Sequence, residues 1–145
     1  MCELCERAGG HVVWQNRLCR VVLVEDEDYP GYCRVILNRH VAEMTDLGFD
    51  DRAALMQVVF GVEEALRKAI FPDKINLASL GNVTPHLHWH VIPRFEADRH
   101  FPNPIWGKAL REEAIPLPPG WEAILVLQIG AVLGSGEGAV VYHDP

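Results

Sequence analysis

A chain of 145 residues is the size of one ordinary domain, long enough to bury a core without help from disulfides or metal. Apolar residues make up 49% of it and charged residues 23%, a globular balance that excludes a disordered chain. The formal net charge of −7 argues against a nucleic-acid polymer as partner, since binding its backbone needs a basic surface, but it leaves room for a small anionic ligand held by local donors.

The N-terminus, Met1-Cys2-Glu3-Leu4-Cys5-Glu6, has no basic region followed by an apolar run, so no signal peptide is read. The longest strongly apolar stretch, residues 123–133, is too short to span a bilayer. The expectation is a cytoplasmic protein with no membrane partner. Without a secretion signal, the four cysteines are not read as two disulfides. Cys19 and Cys33 sit in apolar runs and are most simply small buried hydrophobes. Cys2-x-x-Cys5 either chelates one soft metal ion or does nothing at a frayed end, and the spacing alone does not choose between the two. Redox chemistry ranks third, because no strand–turn–helix surrounds the pair.

In chain order, residues 11–14 read as a short strand and Asn16-Arg17 as a turn. The β-branched run 18–24 predicts a second strand, buried on much of both faces. Residues 25–31 form an acidic turn ending in Pro30-Gly31. Residues 32–37 predict a third strand, and 38–48 a connection that contains His40. From Asp50 or Asp51 the period changes. Leu55, Val58, Val59, Val62, Leu66 and Ile70 recur at three- and four-residue intervals, which predicts an amphipathic helix of about five turns. Its acidic start and its Arg67-Lys68 end suit the helix dipole, and Pro72 stops it. Residues 74–80 predict a fourth strand and Gly81-Asn82 a turn.

The next run, Pro85-His86-Leu87-His88-Trp89-His90-Val91-Ile92-Pro93, predicts the fifth strand, with Pro85 tolerable as its first residue. Three of the chain's seven histidines fall here at every second position. In a strand they point to one face, with Leu87, Trp89 and Val91 on the other. A single ion can be held by two neighbouring rings but not easily by all three, because the outer pair stand about 13 Å apart along an extended backbone. At least one ring is left for other work. A neutral imidazole is a good nucleophile near pH 7, and the turn at residues 81–84 is placed to offer backbone N–H groups to a phosphate. Beyond residue 93 the pattern becomes irregular and proline-rich. Residues 121–133 are helix or strand, which periodicity does not decide, and the glycine-rich stretch 134–138 reads as flexible. Phe101 and Trp106 serve either a base pocket or ordinary packing. The architecture that results is α+β, an antiparallel sheet of about five strands with one long helix across it.

His86-Leu87-His88-Trp89-His90-Val91-Ile92 resembles the His-h-His-h-His-h-h signature (h, apolar) of the histidine triad (HIT) superfamily. The order of elements around it also resembles that family, from about residue 2 to residue 94, and is most similar to bacterial proteins related to dinucleoside-polyphosphate hydrolases. The resemblance implies a HIT-like fold, with a single HIT domain over residues 1–107 and a C-terminal extension over 108–145 to which no role is carried. It implies a nucleotidyl hydrolase or transferase that acts at the α-phosphate of dinucleoside polyphosphates, nucleoside phosphoramidates or adenylyl sulfate. His88 would be the nucleophile that forms a covalent nucleotidyl intermediate, and His90 its helper at the phosphate oxygens. Asn76, Asn82 and Val83 would hold the phosphate, and Glu25 or Asp26 the ribose. The same resemblance implies a homodimer, a purine nucleotide as ligand, no organic cofactor, and a structural zinc on Cys2, Cys5, His40 and His86. The alternative is a regulatory protein that binds nucleotide or zinc without turnover.

Overall fold

The computed structural model describes residues 2–136; Met1 and residues 137–145, with the end of the glycine-rich stretch read as flexible, lie outside the described residues. Five antiparallel strands form one sheet in the order β1-β2-β3-β5-β4. They are β1 (His11–Gln15), β2 (Cys19–Leu23), β3 (Cys33–Leu37), β4 (Lys74–Ala78) and β5 (His88–Arg94). A short helix, α1 (Glu3–Glu6), precedes the sheet, α2 (Phe49–Ile70) links β3 to the edge strand β4, and α3 (Trp121–Leu133) comes last. Because the chain crosses over β5's place before laying down β4, the histidine strand returns to the interior of the sheet, between β3 and β4.

Side-chain alternation gives the sheet two different faces. On one, Val21, Cys33, Val35, Leu37 and Val91 meet Leu55, Val58, Val59, Val62 and Leu66 of α2 in the main core. Cys19 and Cys33 are fully buried there, as their apolar settings predict. On the other face the register places Arg20 opposite Ile36, Val22 opposite Arg34, Ile36 opposite His88, and Arg34 opposite His90. The N-terminal segment covers part of this second face, with Leu4 packed on Val22 and Ile36. Cys2 and Cys5 therefore lie in a docked segment, not on a frayed end.

The helix α2 begins and ends where its pattern predicts, with Asp50 and Asp51 in the first turn and Arg67 and Lys68 in the last. Phe71 adopts a left-handed conformation at its end (φ 51°), consistent with the exclusion of the α region before Pro72. Residues 121–133, which periodicity left undecided, are helical. Leu125 and Ile129 of α3 join the main core, and the helix closes on α2 over Gly61, where an added Cβ would stand 2.3 Å from Leu133 Cδ2. No helix among the described residues is long and apolar enough to cross a membrane.

The fifth strand starts later than its sequence predicts. It begins at His88, so Pro85 and His86 lie outside it. The His86 N–H donates to Thr84 O across a tight turn (2.8 Å), and the Leu87 N–H donates to Val41 O (2.8 Å). Proline lacks the N–H that a ladder would use, and His86 is spent on the turn, so regular pairing begins only at His88. The fourth strand likewise ends at Ala78, short of the expected Leu80.

Candidate active site and metal cluster

Strand β5 presents His88 and His90 on the polar face, ring centroids 4.9 Å apart and nearly perpendicular (77°). His88 Nδ1 lies 2.6 Å from the carbonyl oxygen of His86. A carbonyl only accepts, so Nδ1 carries the proton and Nε2 keeps its lone pair. Burial lowers the His88 pKa below its ordinary value; the bond to the His86 carbonyl opposes this, and the Arg34 charge adds to it. His90 Nδ1 meets the hydroxyl of Tyr32 at 2.5 Å, and Trp106 sits against the His90 ring at a centroid distance of 4.9 Å. Burial, with the charges of His88 and Arg34 behind it, brings His90 down to about 4. Both rings are therefore neutral at pH 7.

Beside His88 lies a cavity of about 390 Å³, lined also by Arg7, Arg34, Thr84, Glu3 and the Gly9-Gly10 backbone. A larger cavity, about 600 Å³ between α2, the end of α3 and Trp14, holds no histidine and no cysteine. The chemistry-bearing groups are at the smaller one.

The structure disperses part of the expected phosphate and ribose set. Asn76 stands on the polar face of β4, opposite Ile92, but its Oδ1 accepts a bond from Arg94 Nη1 (2.8 Å). Asn82 and Val83 are exposed, Val83 at 96%, and it is Thr84 that lines the cavity with His88. Glu25 and Asp26 line a different depression, of about 490 Å³, next to His11 and Trp121. Asp26 still lies close enough to act on Tyr32, whose pKa is raised chiefly by burial and further by the Asp26 charge, against Arg34.

The metal set does converge. In α1, Cys5 N–H donates to Cys2 O (3.2 Å), a single turn that brings both thiols to one side. Their sulfurs stand 3.3 Å (Cys2) and 3.4 Å (Cys5) from His86 Nδ1, and Cys5 Sγ is 3.4 Å from His40 Nδ1. The two Nδ1 atoms are 3.3 Å apart, and all four ligand atoms lie within 4.8 Å of one another. A tetrahedral zinc with Zn–N near 2.0 Å and Zn–S near 2.3 Å requires N···N edges of roughly 3.3 Å and N···S edges of roughly 3.5 Å. His86 Nε2 donates to Leu37 O at 2.6 Å, which orients the ring with its Nδ1 lone pair toward the thiols. The donor set fits a closed four-coordinate metal site.

Several residues that hold this face were not singled out from the sequence. Arg20 is fully buried and donates to the carbonyls of Leu4 (2.7 Å), Arg7 (3.1 Å) and Ala8 (2.8 Å), tying the cysteine segment to β2. Arg94, at the end of β5, pairs with buried Asp98 through Nε (2.7 Å) and Nη2 (3.0 Å). Burial alone would raise the Asp98 pKa, but the bonds from Arg94 and from the N–H groups of Phe95, Phe101 and His100 hold it at about 2. Phe101 lies over the Arg94 guanidinium (5.6 Å). The one available signal was local: Arg20 and Arg34 each interrupt an otherwise apolar strand.

The family model for the HIT domain matches residues 6–97. AP-4-A phosphorylase of Mycobacterium tuberculosis is 30% identical over 104 residues, which cover 68% of this chain and 53% of that protein. The asymmetrical bis(5'-nucleosyl)-tetraphosphatase of Schizosaccharomyces pombe is 27% identical over 95 residues, 62% of this chain and 52% of that protein. The chain thus spans about half the length of these curated relatives. Among solved structures, a histidine triad protein from Sinorhizobium meliloti 1021 is similar at 30% identity with a TM-score of 0.69, over 86% of this chain and 90% of that one. A domain match over most of its length, on a five-stranded antiparallel sheet that carries the three histidines, makes this chain a member of the HIT family.

Proposed function

We propose that the protein is a nucleotidyl hydrolase that cleaves at the α-phosphate of dinucleoside polyphosphates or nucleoside phosphoramidates. The observation that carries this reading is the His88 tautomer. With Nδ1–H donated to the His86 carbonyl at 2.6 Å, the nucleophilic lone pair is on Nε2 of a ring that lines the cavity. Nε2 attacks the α-phosphorus, and the bond to the leaving group breaks with its electron pair, a polyphosphate departing as the anion and an amine taking a proton from solvent. Water then attacks the same phosphorus, its extra proton passes to solvent, and the P–N electrons return to Nε2 as the nucleoside monophosphate departs.

Tyr32 donating to His90 Nδ1 leaves a proton on His90 Nε2 for a phosphate oxygen, which is the helper role assigned to that ring. Asn76, the 82–83 turn and Asp26 or Glu25 complete the nucleotide contacts in this reading. Thr84 is added to them, because it reaches the His88 cavity. Zinc on Cys2, Cys5, His40 and His86 would have no open position, so its part is to hold the N-terminal segment over the polar face.

The test is a panel of dinucleoside polyphosphates and phosphoramidates with the full chain, following AMP or GMP release, beside His88→Asn. The expected result is turnover by the natural sequence and a loss of at least about 10³-fold in kcat for His88→Asn, with nucleotide binding retained. Nucleotide binding without turnover by the natural sequence overturns the hydrolase reading in favour of a binding protein.

A further inference from the structure

Arg34 occupies a costly position with no ion-pair partner among the described residues. It lies in β3 directly opposite His90, is half-buried, and its Nε is buried without a hydrogen-bond partner. Its one backbone contact is long, Nη1 to Gly9 O at 3.3 Å, and its guanidinium lies over the Tyr32 ring, 5.6 Å from the centroid. The chain has 20 acidic residues against 13 basic, yet among the described residues none forms an ion pair with Arg34 or with Arg7. A guanidinium taken partly out of water and left without an anion is destabilising unless a ligand supplies the charge. Arg34, Arg7 and His88 line the same cavity, where exposed Glu3 is the only carboxylate.

The geometry points to Arg34, with Arg7 at the cavity's edge, as an anion subsite that holds the phosphates of the leaving group and so selects polyphosphate leaving groups over amines. This deepens the hydrolase reading above and rests on it for its catalytic part. As His88 Nε2 bonds to the α-phosphorus, the bridging oxygen leaves with the electron pair and becomes a terminal oxygen of the departing polyphosphate. A phosphate oxygen is stable as an anion near pH 7, so a fixed guanidinium suffices and no proton need be delivered. An amine leaving group must take a proton from solvent as the P–N bond breaks, and it gains nothing from a nearby cation. The cavity's 390 Å³ is ample for several phosphates.

Two measurements on the full chain test this. The first is calorimetric binding of inorganic tripolyphosphate to the natural sequence, Arg34→Met and Arg34→Lys. The second is the ratio of kcat/KM for diadenosine tetraphosphate to that for adenosine 5'-phosphoramidate. Arg34→Met should weaken tripolyphosphate binding roughly 10- to 100-fold, the range for a charge-assisted hydrogen bond, with Arg34→Lys recovering part. The substrate ratio should fall by a similar factor.

Unchanged tripolyphosphate affinity in a folded Arg34→Met overturns the subsite. Equal loss on both substrates overturns the selectivity, since Arg34 would then act on the shared α-phosphate. If the natural sequence turns over neither substrate, the hydrolase reading fails and the tripolyphosphate arm alone decides the subsite. Should Arg34→Met not fold, exposed Arg7→Met takes its place. A loss of about threefold or more in tripolyphosphate affinity supports the subsite, and no change overturns it.

Discussion

Two clusters, one before β5 and one at its end, pin different segments around the polar face. Just ahead of the strand, His86 meets Cys2, Cys5 and His40 and fastens the segment that begins with α1. At its last residue, Arg94 meets Asp98 and the Asn103 carbonyl and fastens the loop of residues 95–111. The second cluster is complete in itself, because the Asp98 carboxylate already accepts from Arg94 and from three backbone N–H groups. The first is four electron-pair donors turned toward one point, an arrangement that a metal ion would complete. One end is therefore complete without a ligand, while the other, already tied down by Arg20 and Leu4, has a further hold that a bound ion would supply, and each can be broken separately.

The largest effect is expected at the self-contained end. Asp98→Ala strands a buried guanidinium and three N–H donors, so it should cost roughly 5 kcal/mol, the upper end for a broken buried pair. Denaturant unfolding measures it, and amide exchange at Phe95, His100 and Phe101 should rise while residues 3–10 stay protected. Metal removal is the complementary break. If the ion is present at a thousand times its dissociation constant, chelation should cost about 4 kcal/mol, with exchange rising at residues 3–10 and not at 95–101. Equal loosening of both segments by the chelator would show that the clusters are one unit.

Acid should separate the two ends in order. Thiolates and neutral imidazoles lose a metal as they protonate, so with an ion bound the first cluster should open at mildly acidic pH. Asp98 has its pKa held at about 2, below the ordinary 3.8. Its contribution is therefore complete above about pH 4 and is lost as pH falls through 2, about 2 kcal/mol in all. Unfolding of the natural sequence and Asp98→Asn between pH 5 and pH 2 should converge by that amount. Stability gaps that stay constant across this window would sink the assignment. The smallest effect is expected where the loop is held at the surface. The Arg99–Asp28 pair, 2.7 Å long but with side chains 29% and 39% exposed, should cost at most about 1 kcal/mol on Arg99→Ala.

The elements with a clear period were legible in the chain. The 22 residues of α2 bury the positions that their spacing picks out. The alternation of His88 and His90 with Trp89 and Val91 places the two rings on one face. Residues 121–133 were not legible, because a segment apolar at nearly every position has no preferred face until α2 and Gly61 provide one. The first triad residue was misread as strand, since alternation continues through Pro85 and His86 while backbone pairing does not.

Sequence by itself determined the α+β class through local spacing and the HIT resemblance through a signature, and it was that resemblance which implied the four residues of the candidate metal site. Tertiary structure decided which partner each polar group on the second face has. It turned His86 toward the cysteines, gave Asn76 to Arg94, placed Glu25 and Asp26 at another depression, and left Arg34 in the His88 cavity without an ion pair among the described residues. These are contacts between groups up to 84 residues apart in the chain. Their geometry depends on strand order and register, which a periodic pattern within one segment does not encode.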